Sequence, residues 1–387
     1  MGFADLLEGL HRAEIGPIVG LQQALELIGP LLWLASVLGG DGVVLVMLAT
    51  VYWCVSPRAG IRVTLAVLVS AGVNAVAKLV FHAPRPAWVD ARVRPMSAEG
   101  SFGLPSGHAQ TAVVATGVAL TGTPSPRQER AGTSPGSQES VGTLPGPRES
   151  AGALPGARES EGTRSRGRGV AAGPFRGRGV AGAGWWWAAV VAVVLVSVSR
   201  VYLGVHFFSD VVGGLVLGLL VLGLYVALAG RLTAWWHRRA LALQVLLAAV
   251  PAGAMLGAGG LALLLDEGWT LPASWRAGGA AHPDSMERVA GLSGALFGAL
   301  AGASVMRRLG WFSAAGTVPA RVLRWLLGVV IAVAIWQVAA VAGGSVAGVT
   351  LRYALVAGWV VLGAPLLFLR LGLASRQDAP ATDGHPS

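Results

Sequence analysis

Charge, cysteine and lysine are all scarce in this sequence. Asp, Glu, Lys and Arg make up 12% of the 387 residues, about half the usual share for a soluble domain. A soluble globule of this length needs a charged surface, and too few charges are available to clothe one. There is one cysteine, Cys54, set in an apolar run. It excludes an intramolecular disulfide and calls for no redox role. There is one lysine, Lys78, so 28 of the 29 basic residues are arginine. The opening residues, Met1-Gly2-Phe3-Ala4-Asp5, lack a basic segment followed by an apolar one, and no cleavable signal peptide is expected there.

Apolar side chains fill the space that charge leaves. Hydrophobic residues reach 54% and the mean hydropathy is +0.63, so lipid is the solvent for much of the chain. A spanning helix needs about 20 mostly apolar residues. Candidates fall at 30–57, 60–80, 104–121, 183–200, 207–229, 240–265, 289–306, 321–342 and 350–372. The expected fold is all-α, a polytopic membrane helix bundle of about nine transmembrane helices. Residues 30–229 form its core and 230–374 a C-terminal four-helix region. Gly39-Gly40-Asp41-Gly42 offers a break inside the first candidate, and the third is short. Residues 1–29 alternate apolar and polar positions at helical spacing, with Glu8, Arg12, Glu14, Gln22, Gln23 and Glu26 interspersed. They read as an amphipathic helix, on the membrane surface or packed against the bundle. Trp185, Trp186 and Trp187 open a span where an interfacial aromatic belt is expected.

The net charge of +10 does not point to nucleic acid, because the arginines fall in short segments between apolar runs. Nine spans alternate the connecting segments between two sides. One side receives Arg58, Arg62, the nine arginines of 122–182, Arg231, Arg238, Arg239, Arg307, Arg308, Arg321, Arg324, Arg370 and Arg376, which is 20 of the 29 basic residues. By the positive-inside rule that side is cytoplasmic. The chain is expected as a multi-pass protein of an inner or plasma membrane.

Residues 122–182 interrupt the bundle with a ten-residue repeat. Its units start at Gly122-Thr123-Pro124, Gly132-Thr133-Ser134, Gly142-Thr143-Leu144, Gly152-Ala153-Leu154 and Gly162-Thr163-Arg164, and most carry a Glu at the eighth position. Ten residues is below the periods of folded solenoids, and Gly, Pro, Ser and Arg cannot bury a core. A disordered cytoplasmic insertion is expected, as is a disordered tail at 375–387.

Three places at the other side hold polar residues that spans normally avoid: Lys78 with Arg85-Pro86, then Pro105-Ser106-Gly107-His108, then Ser199-Arg200 with His206 and Asp210. Taken singly, a lysine near a helix end snorkels and an arginine between spans binds lipid phosphate. Together they fit phosphoryl transfer, in which negative charge spreads over three equatorial oxygens and catalysis is largely electrostatic clamping. Lys78, Arg85 and Arg200 supply cations. Ser106 offers a hydroxyl, and Gly107 lets backbone N–H groups approach at a helix N-terminus suited to anions. His206 and Asp210 are four apart, as on one face of a helix. The carboxylate then fixes the imidazole tautomer, leaving His206 free to attack phosphorus while His108 protonates the departing alkoxide. No spacing of acidic, His or Cys residues suggests a metal, and no cofactor is expected.

These blocks resemble the three signature blocks of the type 2 phosphatidic acid phosphatase superfamily, with every fixed position present in order and at the right spacing over roughly residues 30–229. The resemblance implies a six-helix phosphatase core, His206 as nucleophile, Asp210 as its partner, His108 as acid, and Lys78, Arg85, Ser106, Gly107 and Arg200 on phosphate. It implies a membrane lipid phosphatase acting without metal on phosphatidic acid, phosphatidylglycerol phosphate or a polyprenyl diphosphate. The C-terminal four helices exceed that core, and a nine-span plan is similar to the glucose-6-phosphatase branch by topology alone. Phosphoryl transfer to another lipid and a catalytically silent lipid-binding protein stand as alternatives. A vanadate-dependent haloperoxidase is disfavoured because those enzymes are soluble. Asp266, Glu267, His282, Asp284 and Glu287 read as solvated loop residues that shape access. The substrate, oligomeric state and role of the insertion are not encoded in any short motif. Deleting residues 124–180 is expected to leave phosphatase activity of the purified protein within about twofold of wild type; a dead deletion variant would refute the insertion's dispensability.

Overall fold

The computed structural model describes residues 3–121 and 183–377, and within them the fold is helical. The repeat-bearing insertion and residues 378–387 of the expected disordered tail lie outside the described residues. Seven described helices are long and apolar enough to cross a bilayer, or up to eight if one bent pair counts as a single span.

The difference from nine has local causes. The first candidate divides into α2 (Gly29–Leu38) and α3 (Asp41–Cys54) at the Gly39-Gly40 break. The N-terminal helix α1 (Phe3–Ala24) meets the next helical segment at 65°. After α4 (Pro57–Phe81) and the single turn α5 (Pro86–Val89), helix α6 (Gly107–Leu120) has 14 residues. At about 1.5 Å per residue it falls short of the roughly 30 Å hydrocarbon core. The full spans are α4, α7 (Ala183–Tyr202), α8 (Phe208–His237), α9 (Leu241–Leu265), α11 (Glu287–Arg308), α12 (Val318–Ala339) and the run from α13 (Val346–Gly358) to α14 (Ala364–Arg370). The short α10 (Ala273–Ala277) sits in the loop before α11.

Helix α1 buries a mixed face. It carries His11, Ile15, Ile18 and Gln22, while Leu6, Leu10 and the Glu8–Arg12 ion pair are exposed. The helix packs on α7 and α8, so two of its polar residues point into protein. Polar groups buried in this way need partners inside the bundle.

Small residues join the C-terminal helices. A Cβ at Gly294 would lie 2.0 Å from the Thr350 carbonyl oxygen, and one at Gly298 would lie 2.2 Å from that of Ala354. Helices α11 and α13 therefore touch backbone to backbone, as small residues permit in membranes. The same region is tied to the core by indole and phenol donors. A π-helical turn at Trp359–Gly363 presents carbonyls, and Val360 accepts from Trp53 Nε1 at 2.9 Å while Val361 accepts from the Tyr52 hydroxyl at 2.7 Å. Arg324, wholly buried, donates to the carbonyls of Trp53 and Ala315 at 3.0 and 2.7 Å. Each partner relieves a polar group that lipid cannot solvate.

Candidate active site

Three elements converge at one end of the bundle. Lys78 lies in the last turn of α4, Ser106 is the N-cap of α6, and Asp210 lies in the first turn of α8. The Ser106 amide donates to the Asp210 carbonyl at 2.9 Å, which joins two of them directly. Asn74 on α4 joins the third, donating to the Pro105 carbonyl at 3.1 Å and to Gln110 Oε1 at 2.8 Å.

The cations are held by the loop that leads into α6. Lys78 Nζ donates to Ser101 Oγ at 3.1 Å and to the Phe102 carbonyl. Arg85 spreads its fork over the Ser101 carbonyl at 2.6 Å, the Phe102 carbonyl at 3.2 Å and the Val205 carbonyl at 2.7 Å. Arg200 donates to Ser36 Oγ on α2 and to Glu99 Oε1. Lys78, Arg85 and Arg200 are all at most 5% exposed. Buried cations of this kind need carbonyl or carboxylate partners.

His206 stands at the centre. Its Nδ1 is 3.3 Å from Asp210 Oδ2 and its Nε2 is 3.4 Å from Arg85 Nη1. Asp210 Oδ2 also accepts from the Phe207 amide at 3.0 Å. The pair is therefore not stacked on one face of a helix, as the four-residue spacing suggested. His206 precedes α8, and Asp210 caps the helix from its first turn, where a carboxylate satisfies a free N–H and the helix dipole. With Arg85 donating to Nε2, the imidazole keeps its proton on Nδ1, facing Asp210. Burial first, and then the charges of Arg85, Lys78 and Arg200, hold His206 well below its ordinary range. It is neutral at pH 7, the form that has a lone pair to attack with.

The remaining expected residues gather around this pair. The Ser106 hydroxyl is buried and has no hydrogen-bond partner among the described residues; it does not serve as the helix cap its position allows. Gly107 packs on Asn74, where an added Cβ would lie 3.2 Å from Oδ1. His108, half-buried in the first turn of α6, is near enough that its charge acts on both His206 and Glu99. Among the described residues no group of three or more His, Cys, Asp or Glu is arranged to hold a metal.

Sequence reasoning missed Glu99. Its carboxylate bridges the two arginines, bonded to Arg200 and with Oε2 3.6 Å from Arg85 Nη2. Burial would raise its pKa, but Arg85 and Arg200 outweigh that and hold it at about 2. It is ionised at all ordinary pH, and its two oxygens lie where two guanidinium groups converge, the arrangement that also receives a phosphate. No motif marks it; only its place a few residues before Pro105 hints at the site. Beside it lies a cavity of about 630 Å³ lined by Arg85, Trp88, Met96, Glu99, Gly204 and, from the C-terminal region, Gly278. The loop that carries Gly278 is anchored by Trp269, packed against His82 and Phe102, and by Asp266, 3.1 Å from His82 Nε2. Of the loop residues expected to be solvated, Asp266 thus has a partner near the clamp.

A family model described as PAP2 superfamily matches residues 59–234, and one described as PAP2 superfamily phosphatase, transmembrane extension, matches residues 290–376. Together they take in well over half of the chain. The search of curated proteins and that of solved structures returned no match.

The Glu99 bridge has a measurable consequence. Its stabilising pairing is present above the ordinary carboxylate range and is lost as pH falls through about 2. Glu99→Gln leaves two buried arginines sharing one neutral amide, so it is expected to lower the melting temperature by on the order of 5 °C. Inorganic phosphate should then raise the melting temperature of Glu99→Gln more than that of wild type. Equal shifts in the two proteins would show that Glu99 does not occupy the anion position.

Proposed function

From the premise that this chain belongs to the PAP2 superfamily and is a membrane phosphatase, we propose that it hydrolyses a lipid phosphate monoester or pyrophosphate through a phosphohistidine on His206, at the extracytoplasmic face. The observation that carries the reading is the position of His206. It is a neutral imidazole with Nδ1 toward Asp210 and Nε2 toward Arg85, beside the buried cations Arg85, Lys78 and Arg200.

The phosphate displaces Glu99 and takes its place between Arg85 and Arg200, with Lys78 and the free Ser106 hydroxyl on its remaining oxygens. His206 Nε2 attacks phosphorus as the P–O bond to the leaving group breaks. The developing imidazolium keeps its Nδ1 proton, stabilised by Asp210. His108 delivers a proton to the departing alkoxide and then, now neutral, takes one from the water that attacks the phosphohistidine. Inorganic phosphate leaves and both histidines return to their starting state. The cations stabilise charge that is largest in the transition state, where preorganised donors contribute most.

Lipid is favoured because the cavity lies among the loops at the ends of membrane-spanning helices, close to where a bilayer presents an amphiphile. Helix direction supports the extracytoplasmic face. Lys78 and Asp210 lie at one end of α4 and α8, and Arg58 and Arg238 at the other, with the arginine-rich segments that the positive-inside rule keeps cytoplasmic.

Phosphate release by the purified protein should survive EDTA, and His206→Ala should reduce kcat by about three orders of magnitude or more. A panel setting lipid phosphates beside soluble sugar phosphates tests the substrate class, and a clear preference for a soluble phosphate would overturn the lipid assignment. Lys78 is bonded through a compact ammonium in a space closed by Ser101, Phe102 and Arg85. Lys78→Arg keeps the charge but not the fit, and a fall in kcat of about tenfold or more is expected; unchanged kinetics would refute the need for a point charge.

A further inference from the structure

Asp210 is wholly buried, and its two carboxylate oxygens are used unequally. Oδ2 accepts from the Phe207 amide and faces His206, while Oδ1 has no hydrogen-bond partner among the described residues. The group that faces Oδ1 comes from the N-terminal helix: His11 Nε2 lies 3.9 Å away and likewise has no hydrogen-bond partner. The His11 ring is 3% exposed and stacks on Phe207 with centroids 4.0 Å apart and planes 6° from parallel. A donor and an acceptor, both unpaired and both shut away from water, are aimed at each other across a gap about 1 Å too long. Buried polar atoms left in that state are rare.

Helix α1 is fastened so as to hold His11 there. Gln22 Nε2 donates to the carbonyls of Tyr202 and Arg94 at 2.9 and 2.8 Å, and the Arg94 amide returns a bond to Gln22 Oε1 at 3.1 Å. One turn after His11, Glu14 accepts from the Ser209 amide at 3.2 Å and from its hydroxyl at 3.3 Å. The helix thus braces the turn carrying His206 on both sides, at Tyr202 and at Ser209. It lies outside both segments that the family models match.

We propose that His11 is a positioning residue, whose Nε2–H donates to Asp210 Oδ1 and fixes the carboxylate with Oδ2 toward His206. The chain of contact runs from His11 through Asp210 to His206, and the nucleophile is oriented by a residue two contacts away. The bond tightens in the substrate complex, when charge develops on His206 and the carboxylate is drawn to it; catalytic hydrogen bonds are commonly long in the unliganded state.

This inference rests on the phosphohistidine reading, and three variants separate the two. His11→Gln places an amide donor near the position of Nε2. His11→Phe keeps a ring to stack on Phe207 and removes the donor, and His206→Ala tests the reading itself. Each is measured by single-turnover and steady-state kinetics on whichever lipid phosphate wild type turns over fastest. The expected result is a His11→Phe kcat lower by about tenfold to a hundredfold, the worth of one hydrogen bond to a charged group. KM should stay within about twofold and phosphoenzyme formation should be the slowed step, with His11→Gln within about threefold of wild type. A fully active His11→Phe, or a His11→Gln as slow as His11→Phe, overturns the positioning role and leaves a packing residue. An active His206→Ala overturns the phosphohistidine reading instead.

Discussion

Lys78, Arg85 and Arg200 are buried together at the end of a bundle whose outer surface is lipid, and every nearby feature answers the need to neutralise them. Isolated charges in such a place cost several kcal/mol each. The loop before α6 meets that cost with the Ser101 and Phe102 carbonyls, the Val205 carbonyl adds another acceptor, and Glu99 adds a full negative charge. The clamp is thus met by one carboxylate and a ring of neutral acceptors, with Glu99 set between Arg85 and Arg200 and Lys78 held by the Ser101 hydroxyl and the Phe102 carbonyl.

The lipid solvent also explains what the sequence concealed. The three polar blocks were legible because their residues are expensive inside a membrane and so rare that their spacing stands out. Lys78, Arg85, His206 and Asp210 meet as the blocks suggested. Glu99 and Ser101 were not legible, since a loop of mixed polarity between α5 and α6 has no period and its carboxylate resembles any solvated one. His11 and Gln22 were hidden for another reason. An alternating pattern tells which residues share a face but not which face meets protein, and on α1 the face turned inward joins His11 and Gln22 to Ile15 and Ile18. The four-residue spacing of His206 and Asp210 likewise fixed their proximity but not its cause, which is a helix cap.

The C-terminal helices take part in the site through one loop. Helices α11 and α13 are locked by backbone contact at Gly294 and Gly298, and the region is keyed to the core through Tyr52, Trp53 and the π-helical turn. A rigidly attached region can hold a loop in register at the far end of the bundle. There Trp269 packs on Phe102, whose carbonyl binds Lys78 and Arg85, and Gly278 lines the cavity. The wall of the cavity beside Glu99 is thus built partly by residues beyond the segment that the first family model matches.

An N-terminal helix and a loop of the C-terminal region therefore brace the same site from two sides. α1 braces the turn of His206 from one side, while the loop before α11 packs Trp269 on the ring of Phe102, whose carbonyl seats Lys78 and Arg85. In water, such a site could draw its electrostatics from hydration and tolerate loose supports. In a lipid-facing bundle each cation and each lone pair must be met by a protein group at a fixed place, because water is absent from the hydrocarbon around it. Preorganisation here follows from the solvent: the same scarcity of water that makes the charges costly holds their partners in the geometry that phosphoryl transfer uses.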